Sequence, residues 1–212
     1  MARFLVILDV DSTLIENEVI ELLADHAGSG SAVAAITSRA MNGEIDFEES
    51  LRERVATLAG LDHCTIDRVI GEVVITVGVP EMIAAVHAAG GAVGVVSGGF
   101  HEVLDPVAAP LGLDYMRANR LEVLDGVLTG GLSGVIIDGE AKAATLREWA
   151  LDFGVPLART IAVGDGANDL LMMAIAGLSV GFDAKAPVRD LAGVLIDDRD
   201  LSQILPLLGL RG

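Results

Sequence analysis

The sequence predicts an α/β protein: a doubly wound parallel sheet carrying a small inserted all-helical cap. Three observations lead there. The run Phe4-Leu5-Val6-Ile7-Leu8 is continuously apolar, as a strand covered on both faces must be. From residue 12 to about 74 the apolar spacing is helical only. From about residue 76 short apolar runs alternate with helical ones, and repeated βα units imply parallel strands with helices on both faces.

The first strand covers residues 3–11. Residues 14–27 read as a helix through Ile15, Val19, Leu22 and Leu23, stopping at Gly28. An Ala-rich helix over 31–41 ends at Asn42-Gly43. Asp46 reads as an N-cap, with Glu49 three residues on as in a capping box, and Phe47, Leu51, Val55 and Leu58 follow at helical spacing until Gly60. A short helix covers 65–71. Helix 80–89, strand 92–97 and helix 100–111 come next. Asp125-Gly126 and Gly130-Gly131 suggest hairpin turns within 121–137. Helix 141–153, strand 160–164, helix 167–176, strands 178–181 and 193–196 and a closing helix over 201–208 complete the chain. The core is therefore expected over 1–14 and 76–212, and the cap over 15–75, hinged near 12–14 and 76–78.

Composition excludes several classes. The chain has 212 residues, enough for a sizeable core, and 52% hydrophobic content with 3% aromatics makes that core from Ala, Val, Leu and Ile. The longest apolar stretch, 170–182, is too short to span a bilayer, and the five-residue run before Asp9 is no signal peptide. Cys64, the only cysteine, cannot form an internal disulfide and reads as a small buried hydrophobe; a cytoplasmic location is the default expectation. A net charge of −17 repels nucleic acid and anionic lipid. It would repel a phosphate ester too, so a phosphate substrate requires cations placed locally.

Four short stretches place polar groups where such a site would form. Asp9-Val10-Asp11-Ser12-Thr13 ends the first apolar run, Ser97-Gly98-Gly99 follows 92–96, Gly164-Asp165-Gly166-Ala167-Asn168-Asp169 follows 161–163, and Lys142 opens a helical stretch. Residues two apart in a strand face the same way, so Asp9 and Asp11 share a side. In doubly wound sheets ligands bind beyond the carboxyl ends of the strands, which gathers these stretches at one edge. Four carboxylates meeting there need a cation or a proton. An oxygen-rich set suits Mg²⁺, with Asp9, Asp11, Asp165 and Asp169 as the candidate ligands, Asp11 also through its backbone carbonyl. Asp9 is the candidate nucleophile, since a carboxylate can attack phosphorus and split hydrolysis into two displacements. Asp11 is the candidate proton donor and acceptor, its acid form favoured by charged neighbours. Ser97 and Gly98 offer a hydroxyl and open amides as a phosphate cradle, Lys142 a compact cation and Asn168 a further donor.

Asp-x-Asp-Ser-Thr, Ser-Gly-Gly-Phe, a Lys and Gly-Asp-Gly-Ala-Asn-Asp in this order resemble the haloacid dehalogenase superfamily, most closely its phosphoserine phosphatase branch, over essentially the whole chain. The resemblance implies a Rossmann-like core with a helical cap. It implies Mg²⁺-dependent hydrolysis of O-phosphoserine to serine and phosphate through an aspartyl-phosphate, the last step of serine biosynthesis. In the cap it puts an amine-binding carboxylate on Glu18, a carboxylate-binding guanidinium on Arg54, and apolar shielding on Met41 and Phe47. Phe47 and Arg54 lie seven apart, two turns and roughly 10 Å along one helix face. Asp138-Gly139-Glu140-Ala141 before Lys142 matches the family weakly. The first strand starts at Arg3, so the amino-terminal regulatory domain of some relatives is not expected. A monomer or homodimer acting on a small molecule, with no nucleic-acid or membrane partner, is expected. Two alternatives keep the residues but change the outcome: transfer of the phosphoryl group to an acceptor such as homoserine, or a non-enzymatic module that senses phosphoserine.

Overall fold

The computed structural model describes residues 2–210. Its first strand, β1 (Leu5–Leu8), is buried at every residue, the outcome a continuous apolar run requires at the centre of a covered sheet. The other strands are β2 (Ala92–Phe100), β3 (Tyr115–Leu124), β4 (Val127–Ser133), β5 (Thr160–Gly164), β6 (Leu178–Phe182) and β7 (Val194–Ile196). They form one sheet in the order β4-β3-β2-β1-β5-β6-β7, parallel except for the β3–β4 hairpin. The helices are α1 (Val19–Ala27), α2 (Gly30–Met41), α3 (Phe47–Ala56), α4 (Thr65–Glu72), α5 (Val79–Ala88), α6 (His101–Ala108), α7 (Gly139–Phe153), α8 (Leu170–Ile175), α9 (Ala186–Arg189) and α10 (Ile204–Leu207).

Strand alternation divides the interior into two layers. Val6 and Leu8 pack in the layer of Val86, Val103 and Ile204 from α5, α6 and α10. Leu5 and Ile7 pack with Leu146 and Trp149 of α7, Met172 of α8 and Val188 of α9. The doubly wound architecture is thus the one the sequence predicts.

Helices α1 to α4 lie between two connections that run side by side. Ile15 bridges Ile75, Thr76 N–H donates to Leu14 O (3.0 Å) and Glu16 N–H to Val74 O (2.8 Å). Asp46 caps α3 as expected, its Oδ1 accepting from Glu49 N–H (2.8 Å). This helical block leans on the hairpin through α3. Gly130 sits there at φ +84°, and a Cβ on it would stand 3.1 Å from Ala56 O, so only glycine admits this close approach.

Three local expectations are corrected, and two stretches go unread. Helix α1 starts at Val19, not near residue 14, because Asp11 is extended and Ser12 left-handed (φ +57°), and Ile15 joins the bridge to Ile75. One turn closes the hairpin, Asp125-Gly126 with both residues at positive φ, while Gly130-Gly131 lie inside β4. The first half of β3 and the short α9 carry too little periodicity to be read. Cys64 is exposed, in the turn before α4 where its N–H donates to Asp62 Oδ1 (2.9 Å). Among the described residues no helix is long and apolar enough to cross a membrane.

Candidate active site

Register assembles the site. Leu8 pairs with Val95 of β2 and with Val163 of β5, so the residues that follow on all three strands leave the sheet at one edge. Asp9 N–H continues the ladder to Val163 O (2.9 Å). Between Val96 and Phe100 the β2–β3 ladder breaks, which frees Ser97-Gly98-Gly99 from regular pairing.

Asp9, Asp165 and Asp169 converge there, each buried and each offering a carboxylate oxygen within 4.8 Å of the others. Lys142 comes from the first turn of α7, which Asp138 caps by accepting from Ala141 N–H (2.8 Å), so the weakly matching stretch before it has a structural purpose. Its ammonium is wholly buried, 2.8 Å from Asp9 Oδ1 and 2.8 Å from Asp169 Oδ1. Burial alone would pull its pKa down; the charges of Asp169 and Asp9 outweigh that and hold it above the ordinary lysine value. Asp169 also accepts from Gly166 N–H through Oδ2 (3.2 Å).

Burial, then the charge of Asp9, pushes Asp169 up to about 7 against the pull of Lys142, and raises Asp165 for the same two reasons. A carboxyl whose folded-state pKa exceeds its unfolded value binds more protons when folded, so stability falls as pH rises between the two. For Asp169 that interval runs from the ordinary carboxyl range to about 7. The Tm of protein stripped of metal with a chelator should accordingly fall by roughly 5 °C from pH 5 to pH 7.5. Thermal melts check this; a Tm that rises across the interval would contradict it.

Asp11 stands apart from the three converging carboxylates. Its Oδ1 accepts from Val19 N–H (3.2 Å), and its carboxylate is not among the three that meet, unlike the four-carboxylate set the sequence suggests. Burial, then Glu18, then Asp9 raise its pKa well above the ordinary aspartate value, which favours its acid form.

Ser97 is buried, its Oγ accepting from Gly99 N–H (2.8 Å). Phe47 packs on Gly98, where a Cβ would lie 2.8 Å from its ring, so α3 closes over this segment. Asn168 lies half-buried in the turn between Asp165 and Asp169. Glu18 precedes α1, and its Oε1 accepts from Ser12 Oγ (2.9 Å). Arg54 is half-buried, and its Nε donates to Ser50 O (3.3 Å). Burial lowers its pKa, opposed by the nearby carboxyl groups of Glu18, Asp11 and Glu21. Met41 does not join them: at the last turn of α2 it is 77% exposed and shields nothing.

Two further residues complete the site without a sequence signal of their own kind. Asn119 of β3 donates to Gly98 O (2.8 Å) and accepts from Ile137 N–H (2.8 Å), clamping the glycine segment to the chain ahead of α7. Lys185 lies 2.8 Å from Asp165 Oδ2 and 3.5 Å from Glu18 Oε1. Lys142 and Lys185 are the two lysines of the chain.

The donors are all oxygen and buried, and the carboxylates repel one another, so the set fits a hard divalent cation.

A family model described as haloacid dehalogenase-like hydrolase matches residues 6–174. A phosphoserine phosphatase of Streptomyces coelicolor is 51% identical over 209 residues, 99% of this chain and 51% of that protein. The chain therefore spans about half the length of that relative. A phosphoserine phosphatase of Streptococcus thermophilus is 47% identical over 204 residues, covering 96% of this chain and 95% of that one. Among solved structures, a phospho-aspartyl intermediate analogue of phosphoserine phosphatase superposes with a TM-score of 0.92 at 41% identity, covering 98% of this chain and 99% of that chain.

Proposed function

The chain belongs to the haloacid dehalogenase-like hydrolase family, and from that premise we propose that it is a Mg²⁺-dependent phosphoserine phosphatase, acting in the cytoplasm on the free phosphoamino acid. The observation that carries the reading is the meeting of Asp9, Lys142, Asp165 and Asp169 in one buried cluster beside Asp11, whose pKa burial and neighbouring carboxylates raise. Its likeness to phosphoserine phosphatases over nearly its whole length supports the substrate.

In this reading residues 15–75 form a cap domain whose Glu18 receives the substrate ammonium and whose Arg54 receives the carboxylate. Among the described residues no carboxylate lies within ion-pair distance of Arg54, which leaves a half-buried guanidinium free for one. Phe47 excludes water over Gly98. Ser97, the Gly98 amide, Lys142 and Asn168 bind the phosphoryl oxygens. Asp9, Asp165 and Asp169, with the Asp11 carbonyl, would hold a Mg²⁺ ion, which would offset repulsion between the phosphate and the carboxylates.

Asp9 then attacks phosphorus; the P–O bond to serine breaks, and the seryl oxygen takes the proton of Asp11. Water attacks the aspartyl-phosphate, its proton passes to Asp11, and phosphate leaves with Asp9 restored. Because one group must first give and then take the proton, the raised pKa of Asp11 suits it to the first step.

Phosphate release from phosphoserine with Mg²⁺, compared with unrelated monoesters, tests the substrate. No preference for phosphoserine would reject it. Arg54→Ala should raise KM for phosphoserine about 10- to 100-fold, the range of a charge-assisted hydrogen bond, and leave a carboxylate-free ester nearly unaffected. Equal losses on both esters would remove the carboxylate role.

A further inference from the structure

Lys185 is one of only two lysines in the chain, and like Lys142 it bridges two carboxylates. Its backbone is fixed: the N–H donates to Asp165 O (2.9 Å), and the carbonyl accepts from Val188 N–H (3.0 Å) and Arg189 N–H (3.1 Å) at the start of α9. Glu18, its more distant partner, accepts from Ser12 Oγ at the same oxygen, Oε1. The bridge thus joins an acidic-cluster carboxylate of the core to the residue that leads into α1. The two lysines differ in one respect. Lys142 is sealed, whereas the Lys185 side chain is 55% exposed and can swing away from its partners.

Resting on the reading of Asp9, Asp165 and Asp169 as a metal cluster, we propose that Lys185 is a positioning residue that acts as the resident counter-cation of Asp165. It holds Asp165 and Glu18 in place when no divalent ion is bound, and it opposes that ion when one binds. The sign follows from charge. An ammonium at hydrogen-bond distance and a divalent ion on the same carboxylate repel, so each weakens the other. Were Lys185 only an orienting partner of a metal ligand, its loss would weaken metal binding instead. Without Lys185 the metal-free cluster keeps the mutual repulsion of Asp9, Asp165 and Glu18 with less to balance it.

Calorimetric titration of Mg²⁺ into the metal-free full chain, without substrate, separates these signs. Lys185→Met keeps the stem and loses the charge, and it should bind Mg²⁺ about three- to tenfold more tightly than the unmodified protein. Lys185→Arg should bind within about twofold of it, since the charge is kept. The metal-free Tm of Lys185→Met should lie below that of the unmodified protein, with Mg²⁺ narrowing the gap. Unchanged or weaker Mg²⁺ binding by Lys185→Met overturns the inference while the cluster stands. An unmodified protein that binds no Mg²⁺ overturns the cluster reading and this inference with it.

Discussion

Asp9→Asn is expected to abolish phosphoserine turnover, by about 10⁴-fold or more, with the fold intact. An amide oxygen is too weak a nucleophile to displace the seryl oxygen. The shape is nevertheless kept: Asp9 Oδ1 accepts from Val10 N–H (2.7 Å) and lies 2.8 Å from Lys142 Nζ, and an asparagine oxygen can accept from both. Removing one charge also relieves Asp165 and Asp169, whose pKa values Asp9 raises. Phosphate release and thermal melts together check this. Activity within tenfold of the unmodified enzyme would exclude Asp9 as the attacking group, and a marked fall in Tm would contradict the charge argument.

Lys142→Met should damage both stability and activity. The methionine fills most of the slot but leaves Asp9 and Asp169 buried without the cation that both contact. Removing one partner from a buried ion pair costs about 3–5 kcal/mol, roughly a 10 °C loss of Tm in a chain of this size. Loss of a cation from the phosphate site should lower kcat/KM by about 10³-fold as well. The stability loss should shrink toward pH 5, because protonated Asp169 no longer repels Asp9; melts at several pH values would show it. A variant with an unchanged Tm would mean that the three groups do not share one buried site. Lys142→Arg should not rescue, since a wholly buried slot fitted to an ammonium has no room for a guanidinium.

The parts legible in the sequence are those that strand geometry fixes. Asp9, Ser97 and Asp165 each follow an apolar run, and a parallel sheet in register leaves them no option but a common edge. Lys142 was legible only by its order among the motifs, because nothing in a helical pattern says that one lysine turns inward to full burial. Met41 shows the converse failure: it closes a helix in which only Val33 is buried, so an apolar residue there says little about which face it covers. The start of α1 was hidden because Ile15 fits a helical stripe as well as it fits the extended bridge to Ile75. Asn119 and Lys185 act through partners distant in sequence, Gly98 with Ile137 and Asp165 with Glu18, and no local pattern encodes such pairs.

The Asp9 carboxylate, in the company of Lys142, Asp165 and Asp169, is expected to take the phosphoryl group. Rapid acid quench of the enzyme during phosphoserine turnover, borohydride reduction and peptide mass spectrometry read this directly. Position 9 should carry the reduced acyl-phosphate product, homoserine in place of aspartate, and Asp9→Asn should show none. Reduction at another carboxylate, or steady phosphate release with position 9 unmodified, would contradict it.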